Sequence, residues 1–441
     1  MMAGMTLDEA RDLCVVLFLE TLSSLSIAPR LRNAIRRSGN SLEIEGDSYA
    51  VPQSRDIRVV AVGKAAIEMA EAAAEALAGA RFRGIVVAPG SAALLRAEYE
   101  YFQGGHPSPN AGSWRAAEGV LQFLENGSPD DLILFLLSGG GSALLDKPLH
   151  PSISLDDLRQ FHQALVTCGA NIQEINTLRK HFSAVKGGRL AERAAPATQV
   201  TLYVSDVPEH LPSAVASGPT MPDETTLEDC RRIVHRYALA DKFPISIRAL
   251  LESGELPETP KPGDPCFSKS RYYGLLSNQD AVGKLVELAQ ARGFFAEADT
   301  SCDEWEFRRA GEYLLARLDS LCREHPGPVA LVSGGELSCP VTGDGIGGRN
   351  QAFVLDCVER IAGKPVVVLS AGTDGQDGNS PACGAIADGT SADRAAARGL
   401  NPEEFLRRSD SYHFFDALGD TVVTGPTGTN VRDVRILLAY F

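Results

Sequence analysis

Residues 132–144 read LILFLLSGGGSAL. Leu132–Leu137 is an unbroken apolar run bounded by polar turns, the mark of a strand buried on both faces, as in a parallel sheet. It empties into four small residues, Ser138, Gly139, Gly140 and Gly141, before Ser142 opens a helix. Working outward, other apolar runs end in the same way. Ile57–Val62 leads to Gly63-Lys64-Ala65, and Gln199–Val204 to Ser205-Asp206. Val329–Val332 leads to Ser333-Gly334-Gly335-Glu336, and Val366–Leu369 to AGTDGQDG. Strands alternating with helical patterns predict βαβ units, a mainly parallel sheet and an α/β fold. Ligands of open α/β sheets bind outside the carboxyl ends of the strands. Five ends carrying Gly, Ser, Lys or acid therefore predict one shared cleft.

At 441 residues the chain is too long for one ordinary core. The stretch SGELPETPKPGDP, residues 253–265, reads as a linker dense in Pro, Gly and acid. It divides the chain into domains 1–255 and 266–441, with the last strand, near Ile436–Leu438, a candidate to return to the first domain. At the start, two helical patterns cover about residues 6–37, and Thr6 with Glu9 forms a capping box.

A net charge of −15 argues against nucleic acid or an anionic membrane as the main partner. Nine cysteines without a C-x-x-C pair suit reduced thiols and a cytoplasmic location. The short apolar run Leu13–Leu19 follows acidic residues, and no run approaches the roughly 20 residues of a membrane span. Neither a signal peptide nor a membrane helix is expected.

The chemistry concentrates in a few loops. Residues 343–351, GDGIGGRNQ, deliver Arg349 and Asn350 to a helix start, and the next strand runs into a loop holding Asp374 and Asp377. Glycine lets backbone N–H groups approach an anion, arginine binds phosphate, and carboxylates suit Mg²⁺. SGGGS offers amides and the Ser138 and Ser142 hydroxyls to a phosphate; a tight strand-to-helix turn would look the same. Lys64 starts a helix against the dipole, a local conflict that points to function. Further on, Asn176, Arg179, Lys180 and Ser183 share a helix face, and Lys186 and Arg189 follow. That cluster fits a carboxylate or phosphate, and equally a solvated basic face. TGPTGTN, residues 424–430, is a weaker loop of the same kind. Gly343, Gly345 and Gly348 satisfy G-x-G-x-x-G, but the preceding LSCPVT lacks the character of a buried strand. No Walker-type G-x-x-x-x-G-K-[ST] occurs.

Taken in order, VGKAA, GGHPSPN, SGGGSALL, EINTLRKHFSAVKGGRLA, SDV…ASGPT, SGGE, GGRNQ, AGTDGQDG and GPTGTN resemble the type 2 glycerate kinases, the enzymes with a MOFRL domain. The resemblance runs from about residue 8 to the C-terminus. It implies a Rossmann-like N-terminal domain, a C-terminal MOFRL-type α/β domain and an active site in the cleft between them. It implies phosphoryl transfer from ATP, with Mg²⁺, to the 2-hydroxyl of D-glycerate. The lysine of VGKA and the arginine of GGRNQ are the family's catalytic residues and match Lys64 and Arg349. Two departures stand out: Glu209-His210 where the family commonly has Gly-Asp, and Asn379-Ser380-Pro381 where it often has Pro-Thr-Asp.

The expected roles follow. Lys64 and Arg349 neutralise the transferring phosphoryl group. Amides at Gly139–Gly141 and Ser142 position an anion, with Asn176, Glu336 and Asn350 nearby. Asp206 orients the 2-hydroxyl, and Arg349 or the Arg179–Lys186 cluster clamps the carboxylate. Mg²⁺ is held mainly by ATP phosphates, with Asp374 or Asp377. The rivals are an NAD(P)H-dependent hydroxypyruvate reductase, a kinase of a related hydroxy acid and a non-catalytic hydroxy-acid sensor.

Overall fold

A computed structural model describes residues 5–51, 55–91 and 96–440. The chain forms two compact units, one of Ile27–Leu275 and one joining Met1–Ser26 to Leu276–Phe441. This moves the expected boundary in two ways. The strand Ser270–Leu276, placed beyond the linker from sequence, completes the sheet of the first unit. The first helix, Leu7–Ser24, belongs with the C-terminal half. Arg11 there reaches Asp388 and Asp420, and Arg292 pairs with Glu20 at 2.7 Å. Thr6 and Glu9 close its capping box as read.

The first unit carries a six-stranded sheet ordered 99–103, 82–88, 57–62, 132–137, 198–204, 270–276. The four pairs among its first five strands are parallel. This is the Rossmann order, whose direction of winding reverses between Ile57–Val62 and Leu132–Leu137. Both strands are buried along their whole length, as the apolar run required. A separate group of helices, Leu155–Val166, Ile172–Phe182, Leu227–Arg236 and Ile245–Ser253, packs around Phe161, Phe182 and Phe243. The helical pattern expected to residue 37 stops at Ala34. A small antiparallel sheet, 35–38, 41–44 and 47–50, replaces it. Gly39 and Gly46, both at positive φ, make its turns, and Leu42 and Ile44 bury one face.

The second unit has a mixed sheet ordered 295–298, 329–334, 433–439, 366–372, 384–388, 421–422. The last long strand, Asp433–Ala439, does not return to the first unit. It lies at the centre of this sheet, antiparallel to both Val329–Gly334 and Val366–Gly372. Asp433 therefore starts its strand beside the carboxyl ends of its two neighbours. Among the described residues no single helix is long and apolar enough to cross a membrane.

Candidate active site

At the switch point of the first unit, Lys64 and the SGGGS loop are stitched together. The Lys64 amide donates to the Gly139 carbonyl at 2.9 Å, and the Ala65 amide donates to Ser138 Oγ at 3.1 Å. Gly63 makes this approach possible: its φ is +134°, and a Cβ there would lie 2.6 Å from the Ser138 carbonyl oxygen. A Cβ on Gly140 would sit 3.0 Å from the His106 ring and 3.2 Å from Lys64 Cγ, and one on Gly139 would reach Asp206 Cγ at 3.0 Å. Lys64, His106, Asp206 and the glycine loop thus surround one spot. Burial lowers the His106 pKa, and the Lys64 charge lowers it further.

The amides of Gly139, Gly140, Gly141 and Ser142 find no backbone acceptor among the described residues. Lys64 is exposed, and its ammonium makes no hydrogen bond or ion pair there. Four open donors beside a free cation form an anion cradle. Ser142 Oγ lies 2.8 Å from Ser217 Oγ, which donates to Asn176 Oδ1 at 3.4 Å. Sequence reasoning missed Ser217. It and Ala216 take left-handed φ of 62° and 51°, a conformation rare for residues with side chains and frequent at functional sites.

The cationic cluster after Gln173 does not act as one face. Lys180 is buried against Asp223 at 3.2 Å. Arg189 donates to the Pro257 and Glu258 carbonyls, and Arg193 pairs with Glu125. Lys186, with 1% exposure, is enclosed against Asp146, which also accepts from Ser183 Oγ at 3.0 Å and faces His162 Nε2 at 3.2 Å. Burial alone would raise the Asp146 pKa, but Lys186 and His162 outweigh it and hold the carboxyl below its ordinary range. Lys186 is therefore a structural charge, not the expected substrate clamp. Arg179 differs: its Nε is buried without a hydrogen-bond partner, and burial lowers its pKa.

In the second unit, Arg349 stands over the strand ends. Its Nε and Nη2 lie 2.5 and 3.1 Å from the Asp433 oxygens, and Nη2 also meets Glu336 at 2.9 Å. Burial would lower its pKa, but these carboxylates raise it above the usual arginine value. Nη1 is its remaining donor group. The surroundings are equally fixed. Arg432 pairs with Asp303, Asp303 accepts the Glu336 amide, and the fully buried Arg435 donates to the Gly334 and Gly335 carbonyls. Sequence reasoning missed this frame, because it starts the last strand near Ile436 and gives VRDVR, residues 431–435, no role.

Asp377 does not have the open oxygens expected of a metal ligand. Its Oδ1 accepts from the Asn350 amide and Nδ2, and its Oδ2 from the Gln351 amide and Nε2, at 2.9–3.3 Å. It caps the helix Arg349–Arg360. Asn350, with 1% exposure, is consumed in the same join and accepts from Ser370 Oγ at 2.6 Å. Asp374 accepts the Gln376 amide and is only half-buried. No group of three metal-ligating side chains exists among the described residues, so a magnesium ion here would take its oxygens mainly from substrate phosphates, with at most one or two carboxylates.

The GDGIGG loop is not a second cradle. Its Gly345 amide donates to the Arg408 carbonyl, Ile346 to Asp410 Oδ1 and Gly347 to Asn379 Oδ1. Nor does it leave a strand as a dinucleotide fingerprint must: Val329–Gly334 ends well before it. Asn379, one of the departures noted above, holds the loop through both its side-chain oxygen and nitrogen.

Residues 13–252 match a domain of unknown function, DUF4147, and residues 329–433 match the MOFRL family. A D-glycerate 2-kinase of Thermotoga maritima is 39% identical over 86% of this chain and 89% of its own. A protein of Agrobacterium vitis, provisionally named a hydroxypyruvate reductase, is 39% identical over 88% of each chain. The crystal structure of a glycerate kinase from Thermotoga maritima superposes with a TM-score of 0.83 at 34% identity, covering 98% of this chain and all of that one.

Proposed function

This chain belongs to the MOFRL-domain glycerate 2-kinase family, and we propose that it transfers the γ-phosphoryl group of ATP to the 2-hydroxyl of D-glycerate, giving 2-phosphoglycerate and ADP. One observation carries the reading: the amides of Gly139–Ser142, without backbone acceptors among the described residues, lie beside Lys64, whose ammonium makes no ion pair there, at the sheet's switch point. Phosphoryl transfer asks a protein mainly for positioned positive charge and donors, and this loop supplies both.

In this account the 2-hydroxyl oxygen attacks the γ-phosphorus, the bond to the ADP oxygen breaks, and the hydroxyl proton passes to Asp206. Lys64 and the glycine amides hold phosphoryl oxygens. Arg349, fixed by Asp433 and Glu336, offers Nη1 to the phosphate chain. Arg179 is the candidate for the glycerate carboxylate, since Lys180, Lys186 and Arg189 are engaged elsewhere. Magnesium is proposed to arrive as MgATP, bound mainly by the nucleotide's own phosphates, since no group of three metal-ligating side chains exists among the described residues. A cytoplasmic location is proposed from the nine free cysteines.

The reductase reading rested on the glycine fingerprint, whose amides are engaged with the segment at 408–410 and with Asn379. Assaying ATP with D-glycerate beside NADH with hydroxypyruvate separates the two. Turnover only in the first supports the kinase, and turnover only in the second overturns it.

A further inference from the structure

A cavity of about 690 Å³ lies wholly within the second unit. The GDGIGG loop and the segment Leu337–Thr342 form one side. The start of the helix Phe307–Glu324 and the helix Pro402–Arg407 form the other. An ion pair closes the wall between those helices, with Arg308 on Glu403 at 2.9 Å. Asn379 and Asp410, which accept the loop's amides, line the cavity as well. The volume is that of a small-molecule site, not of a packing defect.

The chemistry of the walls is uneven. Phe307, Leu337, Ala352 and Leu406 give an apolar interior, and the exposed Val341 stands at its rim. The loop amides that would cradle phosphate are already hydrogen-bonded, so the interior offers little to a highly charged group. Arg349 lines one edge, and it is the same arginine that stands over the carboxyl ends of the strands. Arg407 lines the rim, exposed and with no ion pair among the described residues.

We propose that this cavity binds the nucleoside part of the phosphoryl donor, a purine nucleotide, with its phosphates leaving past Arg349. The inference rests on the kinase reading for its choice of occupant. Of the two proposed substrates, glycerate is a three-carbon anion with no apolar face. Only the nucleotide carries a large planar apolar group to fill such a space, together with a charged tail for the arginine at its edge. The glycine loop then serves as a wall that brings backbone close to a flat ring, and the anion cradle is the other loop, SGGGS.

Two measurements test this. Val341→Trp and Leu406→Trp narrow the cavity at residues outside the catalytic set, and Val341 is 84% exposed, so its replacement leaves packing intact. Each should raise the KM for ATP about tenfold or more while the KM for glycerate stays within about twofold. An unchanged KM for ATP in both variants overturns the proposal. Independently, irradiating the wild-type protein with 2-azido-ADP should label peptides within 337–352 or 402–411. Label confined to peptides of residues 27–275 overturns it. A wild-type protein that never phosphorylates glycerate defeats the kinase reading instead, and label in the cavity would still support the nucleotide site.

Discussion

Arg349 rests two-pronged on Asp433, with Nε 2.5 Å from Oδ2 and Nη2 3.1 Å from Oδ1. Asp433 is 1% exposed and opens the strand between the two that point at the site. The pair fixes which edge of the guanidinium is left without a carboxylate partner. Asp433→Asn keeps the shape and removes the charge. It should lower kcat roughly 10- to 100-fold, the scale of misplacing one electrostatic donor. Stability should fall by about 2 kcal/mol, the worth of a charged hydrogen bond. Steady-state kinetics and urea unfolding of the same variant check both. A full-activity variant would remove Asp433 from any positioning role.

The Gly63–Ser138 contact predicts a contrast between two glycines. Gly63→Ala places a methyl inside the Ser138 backbone at a φ that L-residues rarely adopt. A loss of about 2–3 kcal/mol and of most activity should follow. Gly283 lies exposed within the helix Asn278–Ala291, where a Cβ would meet nothing within 4 Å. Gly283→Ala should stabilise by roughly 0.5–1 kcal/mol. Denaturant midpoints read both, and equal effects would contradict the account.

These two glycines show what the sequence reveals and what it hides. The buried strands and the loops after them were legible because a run such as Leu132–Leu137 has few alternatives. The glycine loop at Ser138–Ser142, with its short helix, was legible for the same reason. Partnership was not. Lys180, Lys186 and Arg349 look alike in sequence, yet Asp223, Asp146 and Asp433, each 40 or more residues away, decide how each of them is held. The small sheet at 35–50 was hidden by its brevity, and the place of Asp433–Ala439 by its antiparallel pairing within an alternating α/β chain.

The buried pair Asp146–Lys186 should behave as a unit. Asp146→Asn and Lys186→Met should each cost about 3 kcal/mol or more, because each strands an uncompensated buried group. The double variant should lose less than the sum by at least about 1 kcal/mol. Unfolding curves of the three variants give the coupling directly, and strict additivity would contradict the pairing.

Asp377 gives a pH signature. Burial, opposed by the Gln351 amide and reinforced by the Asp433 charge, pushes its carboxyl up to about 6. The folded state thus holds the proton more tightly than the unfolded chain, whose aspartate titrates near 3.9. Its contribution to stability is fully present below about pH 4 and is lost as pH rises through about 6. Asp377→Asn removes that slope, so the stability of the wild-type protein relative to the variant should fall between about pH 4 and 6. A constant difference across that window would show an ordinary carboxylate at this position.

The most direct test of the central claim mixes the protein with D-glycerate, MgATP and enolase, and follows phosphoenolpyruvate absorbance. Enolase accepts the 2-phospho product and not the 3-phospho isomer, so no mutase is added. The account predicts a steady rise with the wild-type protein. With Lys64→Ala the rate should fall roughly 100-fold or more, because the free cation at the cradle is gone. A flat wild-type trace, or a Lys64→Ala variant that turns over normally, would contradict it.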